Sequence, residues 1–256
     1  MKHWRSIIPS AFLLALTLMS GSTAQAAEND PLKTLIAAEE IEITSQALAK
    51  DYFYIQQHIR DEQARKDLNM NLQKLESAIA LLEKKAGEDQ QAVIEYLRFA
   101  LDEIRGILSE KYSKENGALI LDYSETLLEG SETLLKGAKT RGTKKQAMVT
   151  TLEHMDFLLE RLSKYYIAFR AGFRDHTAVQ QARKAVADFD SRIGKIKAYN
   201  YPPTQQTAQR KLLKYWPIAR KFYLGLEKND LPLIVFVSTD YLDKAIATLL
   251  DYHESR

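Results

Sequence analysis

Apolar residues along this chain recur at intervals of three and four. Leu68, Leu72, Leu75, Ile79 and Leu82 give the plainest case, a stripe down one face of an α-helix. No stretch alternates apolar and polar residues over strand length and then meets a turn pair. Gly and Pro are scarce beyond the first residues, and helix formers dominate. The pattern predicts an all-α protein built of antiparallel helical bundles. Helices are expected over 31–59, 62–86, 89–112, 116–137, 144–172, 176–198, 204–228 and 231–254.

Several of these starts carry caps. Asp30-Pro31 offers an acceptor at the N-cap and proline at the first helical position. Asp61 and Asp175 each precede a helical pattern, and Thr204 follows a Tyr201-Pro202-Pro203 loop. Asp230 precedes the last helix, with Pro232 in its first turn. Leu231 to Val237 is the most apolar run of the second half and reads as a buried helical turn. Pro217 should kink or split the seventh helix, because it lacks an N–H and crowds the preceding turn.

The chain also repeats itself. A shift of 114 residues aligns Glu39–Ile79 with Glu153–Ile193 without a gap, at 9 identities in 41 pairs. Leu48 meets Leu162, Lys50 meets Lys164, Tyr52 meets Tyr166, and Arg60-Asp61 meets Arg174-Asp175. Further along, a shift of 115 aligns Leu127 with Leu242 and Leu134 with Leu249. This register predicts two similar four-helix units in tandem, 27–137 and 144–256, joined by a glycine-bearing linker at 138–143. The alternative is one longer bundle whose halves share a core.

The first residues change where this fold is expected to work. Lys2 and Arg5 precede an apolar stretch from Ile7 to Met19, and Ala24-Gln25-Ala26 follows. That order is a secretory signal peptide over 1–26, cleaved after Ala26, and it implies the periplasm. No Cys occurs anywhere, so stability must come from apolar burial rather than disulfides. Residues 28–141 carry 22 acidic and 15 basic side chains, and residues 142–256 carry 12 and 19. Halves of opposite charge can attract within one chain or between two copies in a homodimer. No dense basic run with interleaved aromatics supports nucleic-acid binding.

Candidate chemistry is sparse. No Cys-x-x-Cys-His exists for covalent haem. The potential axial ligands His58, His154, His176, His253, Met70, Met148 and Met155 form no pattern. The Glu-x-x-His pairs of di-iron bundles are missing. There is no nucleophile elbow and no phosphate loop. The reading is therefore a non-enzyme with no cofactor and no metal site. Aromatics such as Tyr52, Phe53, Tyr54, Tyr165, Tyr166, Phe169, Phe173, Trp216 and Tyr223 are expected in helix packing, with room for a pocket between helices.

The first helix reads Ala38-Glu39-Glu40-Ile41-Glu42-Ile43-Thr44-Ser45-Gln46-Ala47-Leu48-Ala49-Lys50. It resembles the first-helix signature of the PilJ-type sensor domain of type IV pili methyl-accepting chemotaxis transducers. Ala38, Ser45, Gln46 and Lys50 match, and Ile43 stands where that signature has Met. Leu213-Lys214-Tyr215-Trp216 is also similar to a later helix of the family. A second, more worn copy spans Asp156 to Lys164 and includes Arg161. The resemblance implies a helical sensor or ligand-binding module, with a site near Glu42, Ser45, Gln46 and Lys50 and, in the second copy, Asp156, Arg161 and Lys164. The signature arginine that contacts anions in nitrate-sensing relatives is replaced by Glu42 and Asp156, which argues against nitrate. The partners implied are a small ligand and a membrane receptor or envelope protein. The alternative is a structural or adaptor protein of the cell envelope with no small ligand.

Overall fold

A computed structural model describes the backbone of residues 22–85, 87–137, 144–228 and 230–255. The basic and apolar start (1–21) and the linker (138–143) lie outside the described residues. Among the described residues the chain is all-α, without a strand. The helices are α1 (Ser22–Gln56), α2 (Asp61–Lys85), α3 (Gln91–Ser109, entered by a 3-10 turn at Glu88–Gln90), α4 (Lys114–Gly137), α5 (Lys144–Arg170), α6 (His176–Ala198), α7 (Pro203–Leu224) and α8 (Pro232–Glu254).

Helix α1 packs on α2 and α4, and α3 completes the set by packing on the same two. Helix α5 packs on α6 and α8, and α7 completes the second set. The two sets meet where α1 lies against α5. Each set has its own apolar core, yet neither core is self-contained. Ile167 and Ala168 of α5 belong to the core of α1–α4, and Leu128 of α4 belongs to the other. The outer helices behave as their periodicity demands: α2 buries Ala64, Leu75, Ala78, Ile79 and Leu82 on one face. Helices α1 and α5 are buried on nearly all sides over 44–55 and 157–169. A helix so placed must carry its polar residues inside.

The two turns leaving α1 and α5 are built alike. The Ile59 N–H reaches the Tyr54 carbonyl at 3.0 Å and the His58 N–H reaches Ile55 at 3.0 Å. The Phe173 N–H reaches Ala168 at 3.0 Å and the Gly172 N–H reaches Phe169 at 3.2 Å. Both are Schellman caps, and each needs a left-handed residue after the helix. In the second turn that residue is Gly172 (φ 98°), and in the first it is His58 (φ 53°), 114 positions earlier. Asp175 then caps α6 by accepting from the Thr177 N–H at 3.0 Å.

Three expectations are corrected. Helix α1 does not start at Pro31; its backbone is helical from Ser22, so Ala24-Gln25-Ala26 falls in its first turns. Alanine and glutamate around Pro31 favour helix, and the proline removes only one hydrogen bond. Helix α7 runs unbroken through Pro217. That residue is exposed, while Leu212, Trp216, Ala219 and Tyr223 hold the helix to the core from the other side. Trp216 stacks on Phe189 at 3.9 Å and donates its indole N–H to Asp190 at 2.7 Å. Finally, Leu231 to Val237 is not a buried turn: Leu231, Leu233 and Ile234 are 47%, 53% and 43% exposed, and only Val235 is fully covered.

The two caps generate a paired test. His58→Gly relieves a left-handed non-glycine residue and should raise unfolding free energy by about 1 kcal/mol, and Gly172→Ala should lower it by about 1–2 kcal/mol. Urea unfolding midpoints of the two variants check this, and a loss of stability on His58→Gly would count against strain at that turn.

Candidate functional site

The polar residues of the resemblance all lie on α1 and α5, and the fold brings these helices side by side. Lys50 Nζ meets Glu160 at 2.6 Å, and Glu39 and Glu153 repel each other further up the same pair. Pairs that rise together in number along both helices mean that α1 and α5 run parallel. Each sends one buried lysine into the other half. Lys50 reaches Glu160 of α5, and Lys164 reaches Ser124 Oγ of α4 at 3.2 Å and the Glu125 carboxylate.

Around Lys50 the setting is acidic. Asp51 lies 3.4 Å from its ammonium and accepts from Asn71 Nδ2 at 2.8 Å. Burial would depress Lys50, but Asp51 and Glu160 outweigh it and hold the ammonium well above its ordinary range. Burial pushes the Asp51 carboxyl up to about 7. Asp156, Glu160 and Asp243 bring carboxylate oxygens within 4.8 Å of one another. Burial first, then Asp243 and Glu160, drive Asp156 well above the usual carboxylate range. These three could ligate a cation, and the Lys50 ammonium already supplies positive charge there. Sequence reasoning, which looked for Glu-x-x-His, missed this group because Asp243 comes from the other end of its half.

At the far end of the same interface Glu39, Glu42 and Glu153 gather, with Glu132 near Glu42. Burial is the main cause, and mutual repulsion the second, that pushes the carboxyls of Glu39, Glu42 and Glu153 up to about 7 each. Only Arg161 pulls Glu42 back. Ser45 turns its hydroxyl to the Glu42 carbonyl at 3.0 Å, and Gln46 donates to Ser45 Oγ at 3.1 Å and to the Ser124 carbonyl at 3.3 Å. Ser45 and Gln46 are wholly buried and face protein.

Of the sequence-derived set, Arg161 and Lys164 line a cleft of ligand size. A cleft of about 570 Å³ lies among α4, α5 and the start of α6. Arg161 donates to Tyr165 Oη at 2.8 Å and to Glu125 Oε2 at 3.1 Å. Burial pushes the fully covered Lys164 ammonium down to about 8 despite Glu125. Burial alone would raise Glu125, but Lys164 and Arg161 outweigh it and hold its carboxyl below the ordinary value. Phe173 closes one wall, its ring 5.2 Å from Phe53. Gly117 makes that seat possible, because a β-carbon there would come within 2.7 Å of the Phe173 ring.

The register of the repeat gives this cleft a counterpart. Lys50, Tyr54, Asp67, Phe236 and Asp240 line a gap of about 50 Å³. They correspond to Lys164, Ala168, Gln181, Leu121 and Glu125 of the open cleft at shifts of 114 and 115. Tyr54 and Phe236, ring centroids 4.9 Å apart, fill what Ala168 and Leu121 leave open. Sequence reasoning missed Ser124, Glu125, Asp122 and Arg174. A signal for two of them was present, since carrying the 115-residue shift back from Leu127 pairs Glu125 with Asp240 and Ser124 with Thr239. Compared with protein-family models, with curated proteins and with solved structures, the chain matches none.

Two predictions follow from the charges. Lys50 and Glu160 side chains are only 13% and 8% exposed. Lys50→Met or Glu160→Leu alone should cost about 3–5 kcal/mol of unfolding free energy, and the double variant should recover most of it. A double-mutant cycle by chemical denaturation reads the coupling, and additive losses would dissolve the pair. For the acidic end, the folded protein holds protons between pH 4.5 and 7 that the unfolded chain releases. That contribution to stability is present below pH 4.5 and is lost as pH rises through 7. Urea midpoints should therefore fall between pH 5 and 7.5, and Glu42→Gln should flatten the fall. An unchanged slope in that variant would remove Glu42 from the effect.

Proposed function

We propose that this chain is a non-enzymatic, exported helical module that binds a small molecule in the cleft among α4, α5 and α6. The carrying observation is the cleft itself: about 570 Å³, floored by the buried Lys164 and by Arg161 and walled by Phe173 and Tyr165. A volume of this order with a few convergent polar groups is what small-molecule sites offer. The PilJ-like signature supports a sensor-type role, and Arg161 and Lys164 belong to its second copy. The basic, apolar and Ala-x-Ala start supports a periplasmic location. Two tandem four-helix units derived from one ancestor account for the paired caps and the paired gaps.

A second reading, an envelope adaptor, draws on a different surface. Leu233, Ile234, Val237 and Tyr241 of α8 expose between 36% and 53% of their area along one side of that helix. A contiguous apolar stripe is a common mark of a protein-binding face.

Native mass spectrometry of the protein isolated from a periplasm separates the two. The ligand reading expects extra mass on the folded species that denaturation releases. It also expects Ala118→Trp, which fills the mouth of the cleft, to abolish that mass while the helical circular dichroism stays unchanged. A bare mass for the unaltered protein would turn the assignment to the adaptor.

A further inference from the structure

Six charged side chains line the cleft, and they balance. Arg161, Lys164 and Arg174 stand against Asp122, Glu125 and Asp175. Most are already used. Arg161, Lys164 and Glu125 satisfy one another on the floor. Asp175 caps α6. Two remain without an ion pair among the described residues, and they come from different segments of the lining. Asp122 is exposed on α4. Arg174 follows α5 with its guanidinium 5.6 Å from the Phe169 ring, a cation–π contact that leaves its N–H groups free for an acceptor. Leu121, Ala118, Ala168 and Phe173 give the same cleft its apolar lining.

Resting on the cleft as the binding site, we propose that its ligand is an amino-acid-type zwitterion with a large apolar side chain. The ammonium lies on Asp122, the carboxylate on Arg174, and the side chain against Phe173 and Leu121. A net anion on Arg174 would leave Asp122 unpaired beside it, and a net cation on Asp122 would leave Arg174 unpaired. A dipolar ligand satisfies both free charges at once, and that is how a site of balanced charge discriminates. One ligand binds per chain, because the equivalent gap between α1, α2, α5 and α8 is closed by Tyr54 and Phe236 and holds four carboxylates against Lys50 alone.

The test is calorimetry on the full exported chain with L-phenylalanine, L-tryptophan and L-leucine. Phenethylamine lacks the carboxylate, 3-phenylpropionate lacks the ammonium, and both serve as single-charge controls. At least one of the amino acids is expected to bind at one per chain, with both controls at least about tenfold weaker. Arg174→Gln should abolish the advantage over phenethylamine, and Asp122→Asn the advantage over 3-phenylpropionate. A control that binds as well as the amino acids overturns the zwitterion and leaves the cleft standing. So does failure of all three amino acids when the native protein still carries a mass that Ala118→Trp removes. Failure of the amino acids with no such mass overturns both.

Discussion

Charge buried between α1 and α5 is the constraint to which the rest of the structure conforms. Two central helices covered on all sides should be apolar, since an unpaired ion in such a place costs several kcal/mol. Instead α1 buries Thr44, Ser45, Gln46 and Asp51, and α5 buries Thr151, Glu160, Ser163 and Lys164. The uncharged ones bond within their own half, as does Asp51 to Asn71, while Glu160 and Lys164 are satisfied across the seam. Lys50 takes Glu160, and Lys164 takes Glu125 and Ser124. The acidic excess of the first half and the basic excess of the second therefore meet, in part, inside one chain. Parallel apolar helices could slide past each other by a turn at modest cost. Two crossed ion pairs admit one register.

The repeat shows how such a seam can yield a single site. Equivalent positions in the two halves carry a lysine and an acidic residue, Lys50 with Asp240 and Lys164 with Glu125, but they pair differently: Lys164 takes Glu125, whereas Lys50 takes Glu160 and Asp240 takes Lys244. Side-chain volume then decides the outcome. Tyrosine and phenylalanine at 54 and 236 fill one gap, and alanine and leucine at 168 and 121 leave the other open. The first half has also gathered carboxylates around its lysine, and these hold it in place. The open cleft instead keeps Asp122 of α4 and Arg174 exposed and without an ion pair among the described residues.

Much of this was legible from residue order, and what was not has physical causes. Helix number among the described residues and most boundaries follow from the 3.6-residue stripe and from caps such as Asp175, which are local properties, whereas Asp61 is the first residue of α2 rather than its cap. Pro217 misled because packing of Leu212, Trp216, Ala219 and Tyr223 against neighbours outweighs one missing hydrogen bond, and packing is not local. Leu231 to Val237 misled because hydropathy reports what a residue prefers, not whether a neighbour covers it. Within the site, Arg161 and Lys164 were found from a signature on one helix. Glu125, Asp122 and Arg174 were not, since they sit on other segments and only the docking of α4 and α6 against α5 brings them near. The same docking puts Ser45 and Gln46, the best-matched residues of the signature, inside the protein, where they bond to Glu42 and Ser124.

The Lys164–Glu125–Arg161 group joins these themes, because it is at once part of the seam and the floor of the cleft. Its members come from α4 of one half and α5 of the other, so anything that changes their charge or spacing acts on the contact between halves. Lys164, depressed to about 8 by burial, is the member closest to losing its proton at ordinary pH. An anionic group arriving in the cleft would favour its charged form, and with it the ion pair to Glu125 that ties α5 to α4. Binding and the cohesion of the two halves are then one equilibrium seen from two sides: a ligand that prefers the joined state must stabilise it by the free energy of that preference. On the proposed reading, ligand binding could be passed on with no more than this, provided that the surface offered to a partner depends on that cohesion.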